Sequence, residues 1–370
     1  MEALEEYKLQ NKILEGYLKY TRRKLLFISF LLVFLLIFSL YALCIGTYNL
    51  TIGEVISSLS FSKISAFINN RDVDSKSLIL LNVRLPRIIS AIIAGIILSI
   101  SGAVMQSILR NPLASPFTLG ISQGAAFGAA FAIVVLNAGS VHSHSSDAIL
   151  INNPYLTTTF AFIGSLIGTI TILLLAKWRG LSPTSAILAG NALASLFNAG
   201  TTLLQTFATD VKVASIVFWL FGDLGRVNWR DIGIMSIACI IGLLYFLKNR
   251  WNYNALEEGE DTAKSLGVNT QRLRIEGMLI SSFITSVVVS LMGVIGFIGL
   301  VAPHMVRRLI GNDFRFLLPA SALLGALLLL ISDTLSRTII SPIILPVGVI
   351  TSFMGAPIFL YLLIRSKRWS

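Results

Sequence analysis

Residues 84–128 read RLPRIISAIIAGIILSISGAVMQSILRNPLASPFTLGISQGAAFG, and this stretch leaves few folds open. Two arginines stand at the mouth of a membrane-length apolar run. Ser99, Ser101, Gly102 and Gln106 interrupt that run. It ends in a proline-rich turn, Asn111-Pro112-Leu113-Ala114-Ser115-Pro116, and a second Gly/Ala-rich apolar run follows. A plain anchor would be greasier. Small and polar residues inside a bilayer span are tolerated where helices pack closely or line a polar path. The pattern implies a packed polytopic bundle that moves something.

The rest of the chain carries the same signature. Charged residues make up 13% and hydrophobic ones 55%, against roughly 25% charged in a soluble domain. Apolar windows of about 20 residues fit a hydrocarbon core of roughly 30 Å. They place ten spans at 25–45, 87–107, 118–136, 157–176, 184–207, 231–247, 276–294, 296–306, 316–335 and 346–364. The eighth is short and interrupted by Gly296, Gly299 and Pro303. The expected fold is an all-α polytopic membrane protein. A tail at 1–24 precedes a ten-helix domain at 25–365, which includes a loop at 252–274, and residues 366–370 form a second tail. With both termini in the cytosol, 20 of the 29 Lys and Arg fall on the cytosolic side and 9 outside, as the positive-inside rule requires. The net charge of +11 is therefore mostly topological, and a nucleic-acid partner is not expected. The tail opens with charges, unlike a signal peptide. Its Leu9, Ile13 and Tyr17 repeat at helical spacing, which suits either a helix on the inner membrane face or a frayed extension.

The segment 208–230 contains VFWLFGDLG and reads as a short helix at the outer surface, with Trp219, Trp229 and Trp251 at interfacial positions. LSISGAVMQ (98–106) weakly echoes VSLMGVIGF (289–297), five spans later, as an inverted repeat would. Cys44 and Cys239 both fall in spans, so neither a disulfide framework nor a thiolate metal site is expected.

Two segments carry candidate chemistry. NALEEGEDTAKSLG (254–267) holds Glu257, Glu258, Glu260 and Asp261 around Gly259, with Ala263 and Leu266 on one helical face. Gly259 would join two short helices and Gly267 would cap the second. Such a pair can dock in a groove of a partner; the alternative is a solvated loop. In span 184–207, Asn191, Ser195, Asn198, Thr202 and Gln205 follow steps of four and three, so they share one face. That stripe either lines a wet path or glues helices together. His142, His144 and Asp147 could hold a metal, but a solvated loop is favoured and no metal site is expected. His304 reads as structural, and Asp333 pairs with Arg337 four residues on. The chain has no GxxxxGK[ST] phosphate loop and no arguable catalytic triad or carboxylate dyad. It is not expected to be an enzyme or to need a cofactor.

Six ordered motifs give a resemblance over residues 25–365. They are RLPR (84–87), SGAVMQSILRNPLASPFTLGISQGA (101–125), the LEEGEDTAKSLG block, GFIGLVAPHMVRRLIG (296–311), LLPASALLGALLLLISDTLSR (317–337) and LPVGVITSFMGAPIFLYLL (345–363). Together they resemble the permeases of the iron-chelate and cobalamin family of ABC importers, the type II importers; the tail is longer than the family's usual start. The resemblance implies a ten-helix subunit of a permease dimer, identical or paralogous. Its partners are two cytosolic ATPase subunits and one external substrate-binding lipoprotein, in the cytoplasmic membrane of a prokaryote. It implies ATPase coupling by Leu256, Glu257, Gly259, Glu260, Ala263, Leu266 and Gly267. Arg84, Arg87 and Arg337 would dock the binding protein, where the alternative is snorkelling to lipid headgroups. Thr351 and Ser352 of the last helix would join the polar stripe along the translocation path. The expected cargo is an iron(III)–siderophore complex, with haem or cobalamin as rivals. An ion-coupled secondary transporter is disfavoured because no convincing ionisable residue lies at mid-bilayer.

Overall fold

The structure, a computed structural model, describes residues 2–46, 50–60, 63, 65, 67, 74–138, 153–179, 182–341 and 343–365. The described residues form helices joined by turns and irregular segments, with no strand among them. The helices are α1 (Glu2–Cys44), α2 (Ile52–Ser58), α3 (Ser75–Ile79), α4 (Leu85–Ile108), α5 (Ile121–Val134), α6 (Pro154–Arg179), α7 (Pro183–Thr206) and α8 (Asp210–Leu220). They continue with α9 (Trp229–Lys248), α10 (Arg250–Glu257), α11 (Glu260–Ser265), α12 (Thr270–Met292), α13 (Ile298–Ile310), α14 (Phe314–Thr338) and α15 (Val347–Arg365). Seven are long and apolar enough to cross a membrane: α1, the α3–α4 unit, α6, α7, α9, α12 and α14. The shorter α5 and α13, of 14 and 13 residues, and α15, apolar over Val347–Tyr361, occupy the other three expected spans.

The core is built on α4, which packs against α9, α12, α13 and α14. Close crossing needs small residues at the contact. A Cβ on Gly95 would strike the backbone of Gly325 and Ala326 of α14, and one on Gly102 would strike the Gly299 carbonyl of α13. Two polar side chains in this core bond across helices: Ser99 Oγ donates to the Ser321 carbonyl at 2.5 Å, and Gln106 Nε2 to the Leu300 carbonyl at 3.2 Å. A second layer is formed by α5, α6 and α7, with Gly124 against Gly164 at its centre. The entry to α4 is set by Pro86. It has no N–H for the Asn82 carbonyl, and its ring crowds that carbonyl. The preceding turn widens into a π-helical stretch, Leu80–Arg84, closed by Leu85 N–H onto the Leu80 carbonyl.

Some expectations change. Residues 2–24 continue α1 without a break, so this segment does not fold back onto the membrane face as a separate helix. The 98–106 stretch is helical throughout, whereas its supposed repeat leaves the helix at Gly293 (φ 82°) and is irregular to Phe297, so the two do not match at that register. The short helix expected in 208–230 is α8, but its Trp219 is buried rather than interfacial. Cys44 and Cys239 are free, as expected. His142, His144 and Asp147 lie outside the described residues. Among the described ones, no group of three metal-ligating side chains occurs.

Candidate functional site

Three places carry the candidate residues, and the helix ends set each of them. At the end taken as outer, the widened turn before Pro86 puts Arg84 and Arg87 one turn apart at the top of α4, facing the last turn of α14. Arg84 Nη1 donates to the Leu43 and Cys44 carbonyls at 2.7 and 3.1 Å. Arg87 Nε reaches Asp333 Oδ1 at 2.6 Å, and Arg337 Nε reaches Asp333 Oδ2 at 3.1 Å. The Asp333–Arg337 pairing read from the sequence is thus one half of a buried Arg–Asp–Arg bridge. Asp333 is wholly buried, and Arg84, Arg87 and Arg337 are 5%, 6% and 8% exposed. Arg337 Nη1 also donates to the Ile45 carbonyl at 3.2 Å. The sequence reading missed Asp223, whose Oδ1 lies 3.7 Å from Arg87 Nη2. Its place in VFWLFGDLG gave no signal, because the contact depends on Asp223 N–H bonding the Met292 carbonyl at the end of α12. Three guanidiniums face one buried and one half-buried carboxylate. Arg87 Nη2 and Arg337 Nη2 have no hydrogen-bond acceptor among the described residues.

The second place is the polar face of α7. Asn191, Ser195, Asn198 and Thr202 are exposed and Gln205 is half-buried, so the face is turned away from the chain's own bundle. Ser195 Oγ bonds back to the Asn191 carbonyl at 3.1 Å, which leaves the amides as the groups still seeking partners. On α15, Thr351 and Ser352 both donate to the Gly348 carbonyl, at 3.0 and 2.7 Å. Thr351 is buried. Ser352 lines an open cavity of about 570 Å³ with Phe221, Val294, Gly296, Val349 and Phe353. The cavity does not include the α7 stripe. The loop beside it holds Phe297 at φ 66°, a conformation costly for a side-chain-bearing residue. His304 is buried in α13 with its ring 6.2 Å from Phe359 of α15, which suits a structural role.

The third place lies at the opposite end. α10 and α11 are joined at Gly259 (φ 131°), and α11 is capped at Gly267 (φ 81°) with the Gly267 and Val268 amides bonding back to the Lys264 and Ala263 carbonyls. This is the helix pair and glycine cap expected from the sequence. The facing of its residues is not as expected. Ala263 and Leu256 are buried within the chain, whereas Leu266 is 67% exposed beside exposed Glu258, Asp261 and Lys264. A charge at Ala263 would therefore disturb the chain itself. Glu257 pairs with Arg307 of α13 at 3.1 Å. Glu260 pairs with Arg274 at 3.1 Å and Lys264 at 3.2 Å. Burial pushes the Glu260 carboxyl up, but the hydrogen bonds from Lys264 and Arg274 outweigh it and hold the carboxyl below the usual range. The neighbouring Tyr253 hydroxyl is driven well above its ordinary value by burial, and so stays neutral.

Comparison with known proteins agrees with this architecture. Residues 31–365 match the FecCD transport family. The chain is 56% identical over 352 residues to a protein of Methanocaldococcus jannaschii named as an ABC transporter permease, covering 95% of this chain and 97% of that one. It is 36% identical over 301 residues to a protein of Helicobacter pylori named as a permease of an iron chelatin transport system, covering 81% and 87%. A solved metal-chelate type ABC transporter in an inward-facing conformation superposes with a TM-score of 0.77 at 29% identity, over 91% of this chain and 98% of that chain. An all-helical bundle with seven helices long and apolar enough to cross a membrane and these relatives lead to one conclusion: the chain belongs to the FecCD transport family and is an integral-membrane ABC transporter permease.

Proposed function

We propose that this permease carries an iron(III)–siderophore complex inward across the cytoplasmic membrane of a prokaryote, powered by ATP hydrolysed on two cytosolic partner subunits. One observation carries the reading. The helix α7 is the least apolar of the seven long spans, and it turns Asn191, Ser195, Asn198 and Thr202 away from its own bundle. Exposed amides in a bilayer need water or a second chain beside them. A polar path between two permease subunits supplies both, with Thr351 and Ser352 of α15 on the same route. The relative named for iron chelatin supports the cargo class; haem and cobalamin are the rival cargoes.

In this reading both termini are cytosolic, and α10–α11 meets the ATPase through its exposed side. Leu266, flanked by Glu258 and Asp261, enters the partner's groove. Leu256 and Ala263 hold the pair to the bundle from within. Arg84, Arg87 and Arg337 form a cationic patch at the outer end, where Nη2 of Arg87 and Nη2 of Arg337 still lack acceptors among the described residues. The three side chains are themselves buried, so in this reading they act on surface carboxylates of a substrate-binding lipoprotein through long-range attraction, and opposed charge speeds the encounter.

The test is uptake into proteoliposomes holding the permease, its ATPase and its binding protein. Labelled iron(III)–siderophore should enter only with ATP on the ATPase side. Leu266→Asp should release the ATPase on purification and abolish uptake while the permease still inserts. Uptake driven by a proton or sodium gradient without ATP would overturn the mechanism. Preference for haem or cobalamin over every siderophore tried would overturn the cargo.

A further inference from the structure

The part of α1 before its apolar run is not loose. Tyr17, Tyr20 and Lys24 follow steps of three and four, and so share one face. That face meets the start of α14. Arg315 Nη1 donates to the Tyr17 hydroxyl at 3.1 Å, and Lys24 Nζ lies 3.9 Å from the Tyr20 ring centre and 5.0 Å from that of Phe316. Arg315 also grips Asp313 through two nitrogens, at 2.7 and 3.0 Å. Asp313 in turn accepts from Asn254 Nδ2 at 3.0 Å, and Asn254 Oδ1 accepts from Phe314 N–H at 2.7 Å. Asn254 lies in α10. Arg315 touches that helix directly as well, with its guanidinium carbon 4.9 Å from the Trp251 ring centre. A continuous chain of contacts thus runs from α1 through Arg315 to the first helix of the pair that the reading above assigns to ATPase contact.

We propose that Tyr17 is a positioning residue for α10, acting through Arg315, Asp313 and Asn254, so that the first helix fixes how the α10–α11 pair is presented to the ATPase. Arg315 is the hub. Its fork is shared between Asp313, the Trp251 face and the Tyr17 hydroxyl. Tyr17 is the member contributed by α1, and through Nη1 it sets the direction in which Arg315 points. Planar guanidinium geometry makes this directional in a way that a lysine would not be. Asp313 stays ionised because the hydrogen bonds from Arg315 and Asn254 outweigh the burial that would raise it. The proposal rests on the ATPase-contact reading of α10–α11 for its consequence, and on these distances alone for its geometry.

The experiment uses the full complex in lipid nanodiscs and in proteoliposomes, comparing Tyr17→Phe, Tyr17→Gln and the parent. Tyr17→Phe keeps the ring and removes the acceptor; Tyr17→Gln restores an acceptor oxygen. Amide hydrogen exchange of residues 250–265 should rise about threefold in Tyr17→Phe, the scale of one weakened hydrogen bond, with exchange along 25–44 unchanged. Transported substrate per ATP hydrolysed should fall by a similar factor, and Tyr17→Gln should recover much of both. Unchanged exchange at 250–265 overturns the proposal. So does raised exchange with an unchanged transport-to-hydrolysis ratio, or equal behaviour of the Phe and Gln variants. If Leu266→Asp leaves ATPase association intact while Tyr17→Phe still loosens 250–265, the ATPase-contact reading is at fault and the geometric link stands.

Discussion

Asp333 is the residue on which the Arg84–Arg87 end of the bundle turns. A carboxylate with no exposure is tolerated because two guanidiniums approach its two oxygens separately, at 2.6 and 3.1 Å. Removing one member of such a buried set costs about 3–5 kcal/mol, because the charges left behind have neither water nor partner. Asp333→Ala should lower the thermal midpoint of the detergent-solubilised protein sharply, and Asp333→Asn, which keeps an acceptor oxygen, should lower it less. Equal midpoints for the two variants would mean that the charge contributes nothing beyond shape. Half of this bridge was legible in the sequence, because Arg337 lies four residues from Asp333 on one helix. The other half was not. Arg87 is 246 residues from Asp333 in the chain, and no local spacing encodes that meeting. The inward turn of Ala263 was hidden for a related reason: helical spacing does not say which side the bundle takes, and α11 ends at Ser265, so Leu266 does not share the facing of Ala263.

At the scale of elements, α13 and α15 meet at the start of α13 as well as at the His304–Phe359 ring contact. Phe297 caps α13 with φ 66°, and a Cβ added to Gly355 of α15 would collide with the Phe297 side chain. The glycine lets α15 close on the loop that lines the cavity. Gly355→Ala should therefore push α15 outward at a cost of about 1–3 kcal/mol from overpacking, read as a lower thermal midpoint and slower uptake. Phe297→Gly removes the Cβ that would be struck and suits the φ of 66° at that position, so the double variant should regain most of what Gly355→Ala loses. Additive losses in the double variant would show that the two residues act independently. The long helices were plain from apolar run length, and their ends lie within a few residues of the expected ones. Exceptions are α1, whose charged first half continues the helix, and α12, which begins at Thr270 rather than near 276. In both, charged residues lengthen a helix that apolar windows cut short. The widened turn before Pro86 was invisible, since a proline marks a disturbance without saying how the preceding turn absorbs it.

At the scale of the whole molecule, the chain buries its middle and leaves two flanks open. The apolar windows of α4, α12 and α14 are 78%, 67% and 72% buried, whereas those of α1 and α7 are each 17% buried. One open flank, on α7, is polar, and Asn198 stands mid-stripe. Asn198→Leu should leave membrane insertion intact, since it makes α7 more apolar, and reduce uptake about tenfold, or roughly 1.4 kcal/mol in the barrier. Normal uptake in that variant would remove the stripe from the path. The buried Arg–Asp–Arg bridge has a further consequence, for the order in which the chain is made. α4 leaves the ribosome long before α14, so Arg87 waits in the nascent bundle first for Asp223 and then for the buried Asp333. α14 arrives with Asp333 already matched to Arg337 on the same helix, and so brings that end close to neutral. Its carboxylate then reaches across to Arg87, and the bridge closes only when α14, late in the chain, is in place.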